Sequence, residues 1–389
     1  MRGKATLIVL LLVLGALTVV LSASIQRALW SALVLSELLN FESRGWLARW
    51  TSPPRIEEFF YKGPSGLVKA DLYLSQPVRK CPGILLNHGV VDTGKDDPRL
   101  RHFAEILCRS GFVVFVPDFK GMRSFHIAPS DIDEIQAAYE YFLSLKKYVL
   151  PQSCGLFGFS YGAGPTIIAA CRPTIRQKVR FVVSFGGYCD LKNVIAFIAA
   201  GNFEFGGKTY YQKPQEYGKW VFLANNLHLV DSPVDRSILR NIVQLKLRDE
   251  KVPLEQFLPL LGEEGKNILA LLSPSKPQRI ESLIQKLPAD LRASMEALSV
   301  GPALPYLQAD LIVAHGEDDD MIPFTETLRL AQAAPNPRRV YLQILKSYSH
   351  VDPDRQPWTI KNFITYHLPE GWKLFGLVYK LMGYRQGKS

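Results

Sequence analysis

The stretch "SCGLFGFSYGAGPTIIAA", Ser153–Ala170, sets one small polar residue, Ser160, between an apolar run and a run rich in Ala and Ile. Glycines flank it at Gly158 and Gly162, so the centre reads G-x-S-x-G. Chance alone gives about one such pentapeptide in eight chains of this length. Context carries the weight. A serine in this pattern becomes exposed and reactive when a strand runs into it and a helix runs out, because the sharp turn strains its backbone. An apolar strand precedes Ser160 and an Ala/Ile helix follows it. Ser160 is therefore placed at the carboxyl edge of a sheet, where open α/β folds bind ligands.

The neighbouring sequence supplies that sheet. "GILLNHG" (Gly83–Gly89), "FVVFVPD" (Phe112–Asp118) and "RFVVSFGG" (Arg180–Gly187) are short continuous apolar runs, the mark of strands buried on both faces. Helical patterns separate them: "RLRHFAEILCRSG", Asp131–Tyr148 and Tyr161–Cys171. Strands alternating with helices predict an α/β fold, a doubly wound, mostly parallel sheet. "RIEEFFYKG" and "LVKADLYLS" alternate in hydrophobicity as an antiparallel hairpin ahead of it. After Asp190 the pattern turns mainly helical up to Pro305, too long for a structureless loop, and reads as an inserted cap. "ADLIVAHG" and "RRVYLQIL" then resume the sheet, each followed by a helix, Thr325–Ala334 and Asp354–Tyr366. The expected division is 1–24 apolar leader, 25–54 amphipathic helix, 55–190 and 306–368 core, 191–305 cap, and 369–389 C-terminal helix.

A serine hydroxyl needs a base to take its proton. In a strand–serine–helix arrangement the base is a histidine late in the chain and the supporting carboxylate lies between the two. His350, in "LKSYSHVDPD", falls in the loop after the last predicted strand. His88 and His315 sit directly before glycines at strand ends, His102 and His228 in predicted helices, His126 in a loop and His367 at the end of a helix. "HGEDDDMIP" offers three successive aspartates past the preceding strand. They cannot all point inward, since buried unpaired carboxylates are costly. Asp319 is the expected acid, Asp318 the next choice and Asp190 the reserve. The aspartates lack the alternating spacing of a calcium loop, so no metal is expected. Oxyanion-binding amides are expected from Tyr161 and from the loop after "LLNHGVV", at Val90 or else Val91.

Together "NHGVV", "VPDFKG", "GFSYGAG", "HGEDDDMIP" and the "SH" of His350 resemble the α/β-hydrolase superfamily, over roughly Arg55–Asp190 and Tyr306–Leu368. The order Ser160, Asp319, His350 matches that superfamily's order, and a helical cap between its sixth and seventh strands is familiar there. Its dienelactone-hydrolase-like and S9-peptidase-like branches look most similar. The chain departs from true dienelactone hydrolases in carrying Ser160 where they have cysteine, and from prolyl oligopeptidases in having no long propeller before the core. The resemblance implies a serine hydrolase without cofactor, acting on an ester or related acyl bond of a small molecule, lipid-like or not. Acyl transfer, peptide cleavage and non-catalytic binding on the same fold are the alternatives. Aromatics of the cap, Phe203, Phe205, Tyr210, Tyr211 and Trp220, line the substrate or fill the cap's own core.

Composition bounds the partners. Of 389 residues 46 are basic and 36 acidic, a net charge of +10. The basic residues are scattered rather than interleaved with aromatics, so no nucleic-acid face is expected. None of the five cysteines forms a CxxC pair, so no zinc site is expected, and so low and odd a count excludes a disulfide scaffold while leaving room for one bridge if the protein is exported. Ala5–Ala23 is apolar and uncharged behind Arg2 and Lys4. As a helix it is about 28 Å long, close to a bilayer core. It reads as a signal anchor, with the body outside the cytoplasm, or as a signal peptide cut near Ser22–Ser24, which makes the protein secreted. The tail "EGWKLFGLVYKLMGYRQGKS" repeats aromatics at helical spacing among lysines. It reads as a membrane-interfacial helix or as one packed on the sheet.

Overall fold

The structure is a computed structural model that describes residues 22–39, 45–272, 277–350, 353 and 356–385. The apolar leader up to residue 21 lies outside the described residues. Among those described, no helix is long and apolar enough to cross a membrane.

Among the described residues ten strands form: β1 (Arg55–Gly63), β2 (Gly66–Leu74), β3 (Gly83–Asn87), β4 (Val113–Pro117), β5 (Gly155–Phe159), β6 (Phe181–Phe185), β7 (Asn202–Phe205), β8 (Lys208–Tyr211), β9 (Asp310–Gly316) and β10 (Val340–Leu345). Eight of them make one sheet in the order β1-β2-β4-β3-β5-β6-β9-β10. The β1–β2 hairpin and the β2–β4 pair are antiparallel, and all pairs from β4 to β10 are parallel. The inner strands are buried along their whole length because helices cover both faces. Alternation within each strand feeds two cores. Leu85, Phe115, Leu156, Val182 and Val313 point to one, and Ile84, Val114, Phe157, Val183 and Ile312 to the other.

The helices are α1 (residues 22–38), α2 (Trp46–Trp50), α3 (Pro98–Arg109), α4 (Lys120–Arg123), α5 (Ser130–Ser144), α6 (Ala163–Ala170), α7 (Leu191–Ala200), α8 (Glu216–Asn226), α9 (Pro233–Arg248), α10 (Glu263–Leu272), α11 (Pro277–Gln285), α12 (Ala289–Leu298), α13 (Thr325–Ala333), α14 (Ile360–Asn362) and α15 (Leu368–Met382). α5, α6 and α13 contribute Ile135, Ile167 and Leu330 to the first core. α1, α3 and α15 contribute Val34, Leu107 and Leu381 to the second. The stretch from α7 to α12 has a separate core around Trp220, Leu239, Ile242, Leu269 and Met295.

Four expectations need correction. The stretch 25–54 is not one helix: α1 runs over residues 22–38, and α2 is a separate turn whose Ala48 N–H donates to Glu37 Oε2 at 3.1 Å. Within the inserted segment, "NFEFGGKTYY" is an antiparallel hairpin, β7–β8, turned by Gly206 (φ +58°) and Gly207 (φ +76°). Two successive positive φ values suit the right-handed twist of a hairpin, and glycine supplies them without steric cost. The last helix begins at Ile360 rather than Asp354, because Thr359 caps it, its Oγ1 accepting from Asn362 N at 3.0 Å. It runs on through a π-helical turn, Phe363–His367, into α15, so the tail is no separate element. The turn widens just before Pro369, which has no N–H to donate. Leu374, Val378, Leu381 and Met382 of α15 are buried, so that edge packs on the sheet. All five cysteines are buried and free, and no bridge forms.

Candidate active site

β3 and β5 are adjacent at the sheet's centre, and the chain proceeds outward from them in opposite directions, to β4 on one side and to β6, β9 and β10 on the other. Such a switch point leaves a crevice at the carboxyl ends of the strands. Ser160 lies there, one residue beyond β5, with φ +50°. A non-glycine residue in this region is strained, and the surroundings hold it there. A short 3₁₀ turn, Ser160–Gly162, leads into α6. A Cβ on Gly162 would lie 2.4 Å from His88 O, so the loop after β3 crosses directly over the turn. Asn87 Nδ2 ties the two together, donating to Gly162 O and Thr166 Oγ1, each at 3.0 Å.

Three strand ends converge. Ser160 follows β5, Asp319 follows β9 and His350 follows β10. His350 Nε2 is 2.7 Å from Ser160 Oγ, and His350 Nδ1 is 2.6 Å from Asp319 Oδ2. An ionised carboxylate only accepts, so Nδ1 carries the ring proton and Nε2 is free to accept from the serine hydroxyl. Asp319 has no exposed surface. Its Oδ1 accepts from the amides of Met321 (2.8 Å) and Ile322 (2.9 Å). Burial opposes its ionisation, but charge on His350 and hydrogen bonds from His315 and His350 outweigh that. The carboxyl is held well below the usual carboxylate range.

His315 is a partner that the sequence reading set aside. It is fully buried, and its Nε2 lies 3.0 Å from Asp319 Oδ2 and 2.9 Å from Ile322 O. Both are acceptors, so Nε2 carries the proton, and Nδ1 accepts from Thr327 Oγ1 at 2.6 Å. The sequence carries no periodic signal for this pairing, because His315 lies at the end of β9 and the turn after it brings Asp319 back. The other candidates lie elsewhere. Asp318 is exposed and Asp320 partly so. Asp190 caps α7, accepting from Lys192 N at 2.8 Å. His88 is wired into the β3 loop: Nδ1 meets Gly89 O at 2.7 Å and Nε2 accepts from Phe119 N at 3.2 Å. Burial lowers its pKa, which suits a neutral ring. His126 and His228 pair with each other, ring centroids 4.5 Å apart, and His367 stacks on Trp358.

Of the two expected oxyanion donors, one adjoins Ser160 in the chain and the other adjoins a residue packed near it. Tyr161 is the next residue. Val90 follows Gly89, whose built Cβ would lie 3.4 Å from Ser160 Cβ. Tyr161's side chain turns away and donates to Asp131 Oδ2 at 2.7 Å. The inserted segment reaches the acid loop, since Gln215 N, ahead of α8, donates to Asp320 O at 3.0 Å. Its aromatics are engaged in packing. Phe203 and Tyr210 stack together and meet Phe324 edge-on, Phe205 lies under Arg329, and Trp220 is in the segment's own core. Tyr211 is exposed.

Gly316, at the end of β9, has no room for a side chain. Its Cβ would fall 2.0 Å from Ser349 O, in the backbone that presents His350. We expect Gly316→Ala to push that loop away from Asp319. Stability should fall by about 1–3 kcal/mol in urea denaturation. Any serine-dependent activity should fall about a hundredfold, as a small misplacement does.

No family model matches the sequence, and no curated protein matches it. Solved structures do. An acylaminoacyl peptidase from Pyrococcus horikoshii superposes with a TM-score of 0.50 at 13% identity, over 88% of this chain and 44% of that one. A puromycin-hydrolyzing peptidase from Mycobacterium tuberculosis gives 0.50 at 14% identity, over 86% and 40%. A dienelactone hydrolase from Anabaena variabilis gives 0.44 at 13% identity, over 86% and 97%. The chain spans less than half the length of the two peptidases it matches. It has the α/β-hydrolase fold.

Proposed function

We propose that the chain is a serine hydrolase that cleaves a carboxylic ester through an acyl-enzyme. The observation that carries this reading is the line of hydrogen bonds from Ser160 through His350 to Asp319, 2.7 and 2.6 Å long. Ser160 Oγ attacks the acyl carbonyl as its proton passes to His350 Nε2. Asp319 orients Nδ1–H and stabilises the imidazolium. The amides of Tyr161 and Val90 receive the oxyanion. His350 gives its proton to the leaving oxygen, which departs as alcohol. Water, deprotonated by the same nitrogen, then attacks the acyl-enzyme, releasing acid and restoring Ser160. A fluorophosphonate probe tests the reading. One label per chain is expected, on the peptide that holds Ser160, and labelling elsewhere would sink the assignment.

Peptide-bond cleavage is the second reading, favoured by structural matches named as peptidases, the two above among them. The same groups serve it, with an amine leaving. Turnover of matched ester and amide substrates separates the two. Product analysis with competing alcohols separates hydrolysis from acyl transfer.

Activity is expected to rise with pH through a single ionisation. Asp319 is already ionised, because its folded-state pKa is depressed. The proton lost on the acid limb is therefore the one on His350 Nε2. A kcat/KM profile with a two-proton acid limb would contradict this. The uncharged run Ala5–Ala23 behind Arg2 and Lys4 supports an N-terminal membrane anchor with the catalytic body outside the cytoplasm. Alkaline extraction and protease protection test both points.

A further inference from the structure

The N–H of Val90 belongs to the same peptide unit as Gly89 O, and His88 holds that oxygen. His88 follows directly on β3 and is 1% exposed, so its ring lies beneath the loop, out of reach of a substrate. Its Nε2 meets Phe119 N at 3.2 Å. A backbone N–H only donates, so Nε2 carries no proton. Burial lowers the pKa of the ring and keeps it neutral, which leaves its single proton on Nδ1. Nδ1–H therefore donates to Gly89 O, at 2.7 Å.

Two features give that bond a consequence for the chemistry. A trans peptide unit is planar, and its C=O and N–H point in opposite directions. Gly89 O drawn down to the buried ring turns Val90 N–H the other way, outward to the crevice that holds Ser160 Oγ. Among the described residues Val90 N–H has no hydrogen-bond partner, so it is open to a ligand oxygen. The second feature is the glycine. A Cβ at position 89 would lie 3.3 Å from Phe159 O and 3.4 Å from Ser160 Cβ, so glycine lets the loop pass this close to the nucleophile without displacing it. Glycine also constrains its own backbone least, and the peptide plane that follows it rotates easily. Close approach and fixed orientation thus need separate sources. We propose that His88 is a positioning residue of the site: its Nδ1–H fixes the Gly89–Val90 peptide plane and so presents Val90 N–H to the oxyanion. This rests on the hydrolase reading. The ring is anchored in turn by Phe119, directly before α4. The segments "NHGVV" and "VPDFKG" therefore act as one unit, in which the loop after β4 sets the loop after β3.

The test compares His88→Asn with His88→Gln in the full chain. The amide of asparagine reaches the place of Nδ1, so it keeps a donor on Gly89 O and loses Phe119. Glutamine reaches the place of Nε2, so it keeps an acceptor for Phe119 N–H and releases Gly89 O. Each loses one hydrogen bond, so their urea midpoints should fall together. Their rates should part. The readouts are the rate of fluorophosphonate labelling, whose phosphoryl oxygen takes the oxyanion position, and turnover of p-nitrophenyl butyrate. His88→Asn should stay within about threefold of the unsubstituted chain. His88→Gln should label and turn over about thirtyfold more slowly at unchanged KM, short of the hundredfold or more that follows outright loss of a donor. A His88→Gln rate equal to that of the unsubstituted chain, or both variants slowed alike, overturns the inference. The unsubstituted chain gives a second measurement that needs no variant to fold. In spectra of protein carrying ¹⁵N-histidine, His88 should be a neutral ring with a slowly exchanging proton on Nδ1, and a proton on Nε2 overturns the inference. If the unsubstituted chain takes no fluorophosphonate, the hydrolase reading fails and this inference falls with it. If it labels and the two variants do not differ, the inference alone fails.

Discussion

Ser160→Ala should abolish fluorophosphonate labelling and lower kcat by about a millionfold, with the fold intact. Losing the nucleophile of a serine triad removes the acyl-enzyme route entirely, and only oxyanion stabilisation and binding remain. A loss this large from misfolding would show in a melt, and none is expected. Alanine keeps the Cβ that already tolerates φ +50°. Ser160→Gly sharpens the comparison. Glycine enters that region without strain, so it should be as inactive as alanine and about 1 kcal/mol more stable than it. Equal stability of the two variants would mean that the turn stores no strain. Retained labelling of Ser160→Ala would move the nucleophile elsewhere.

What was legible in the sequence follows from the geometry of a parallel sheet. Each parallel strand ends at the same edge, so a serine after β5, an acid after β9 and a histidine after β10 meet without any signal of their own. The buried runs "GILLN", "VVFVP" and "FVVSF" needed only their length and bounding turns to be read as strands. Choosing among Asp318, Asp319 and Asp320 was harder, because it depends on how the turn after β9 folds. That turn aims one carboxylate at its own amides and leaves Asp318 in water. The same turn hid His315. Its meeting with Asp319 comes from the chain doubling back toward Ile322, not from a helical or strand period. The β7–β8 hairpin was missed although its Gly-Gly turn was visible, since four-residue strands give too short an alternation to outweigh helices on both sides. The division of the N-terminal stretch into α1 and α2 is marked by Gly45, directly before α2, where a Cβ would meet Glu37 Oε2 at 2.6 Å. Of the tail's two readings, packing on the sheet holds for one edge of α15, while Trp372 on the other side is exposed.

Asp319→Asn is expected to cost about ten-thousandfold in kcat, the scale on which a wrongly protonated histidine fails. Every hydrogen bond to this side chain is one it accepts. Oδ1 faces two backbone N–H groups, and Oδ2 faces the protonated nitrogens of His350 and His315. An amide has one oxygen, so either orientation sets its NH₂ against two donors. With the NH₂ toward the rings, His350 must move its proton to Nε2 to accept at Nδ1. It then cannot take the proton of Ser160. With the NH₂ toward the turn, the loop that carries the residue loses its two anchoring bonds. Stability should therefore fall as well, by about 1–3 kcal/mol at pH 7, the cost of leaving buried donors unmet. The sign with pH is fixed by the depressed pKa of Asp319. Its ionised form stabilises the fold above the unfolded carboxylate pKa, about 3.9, and that contribution is lost as pH falls below it. The stability gap between wild type and Asp319→Asn should thus be full at neutral pH and narrow in acid. Asp318→Asn, on an exposed neighbour, should change neither activity nor stability measurably. Equal losses from the two substitutions would remove Asp319 from the triad.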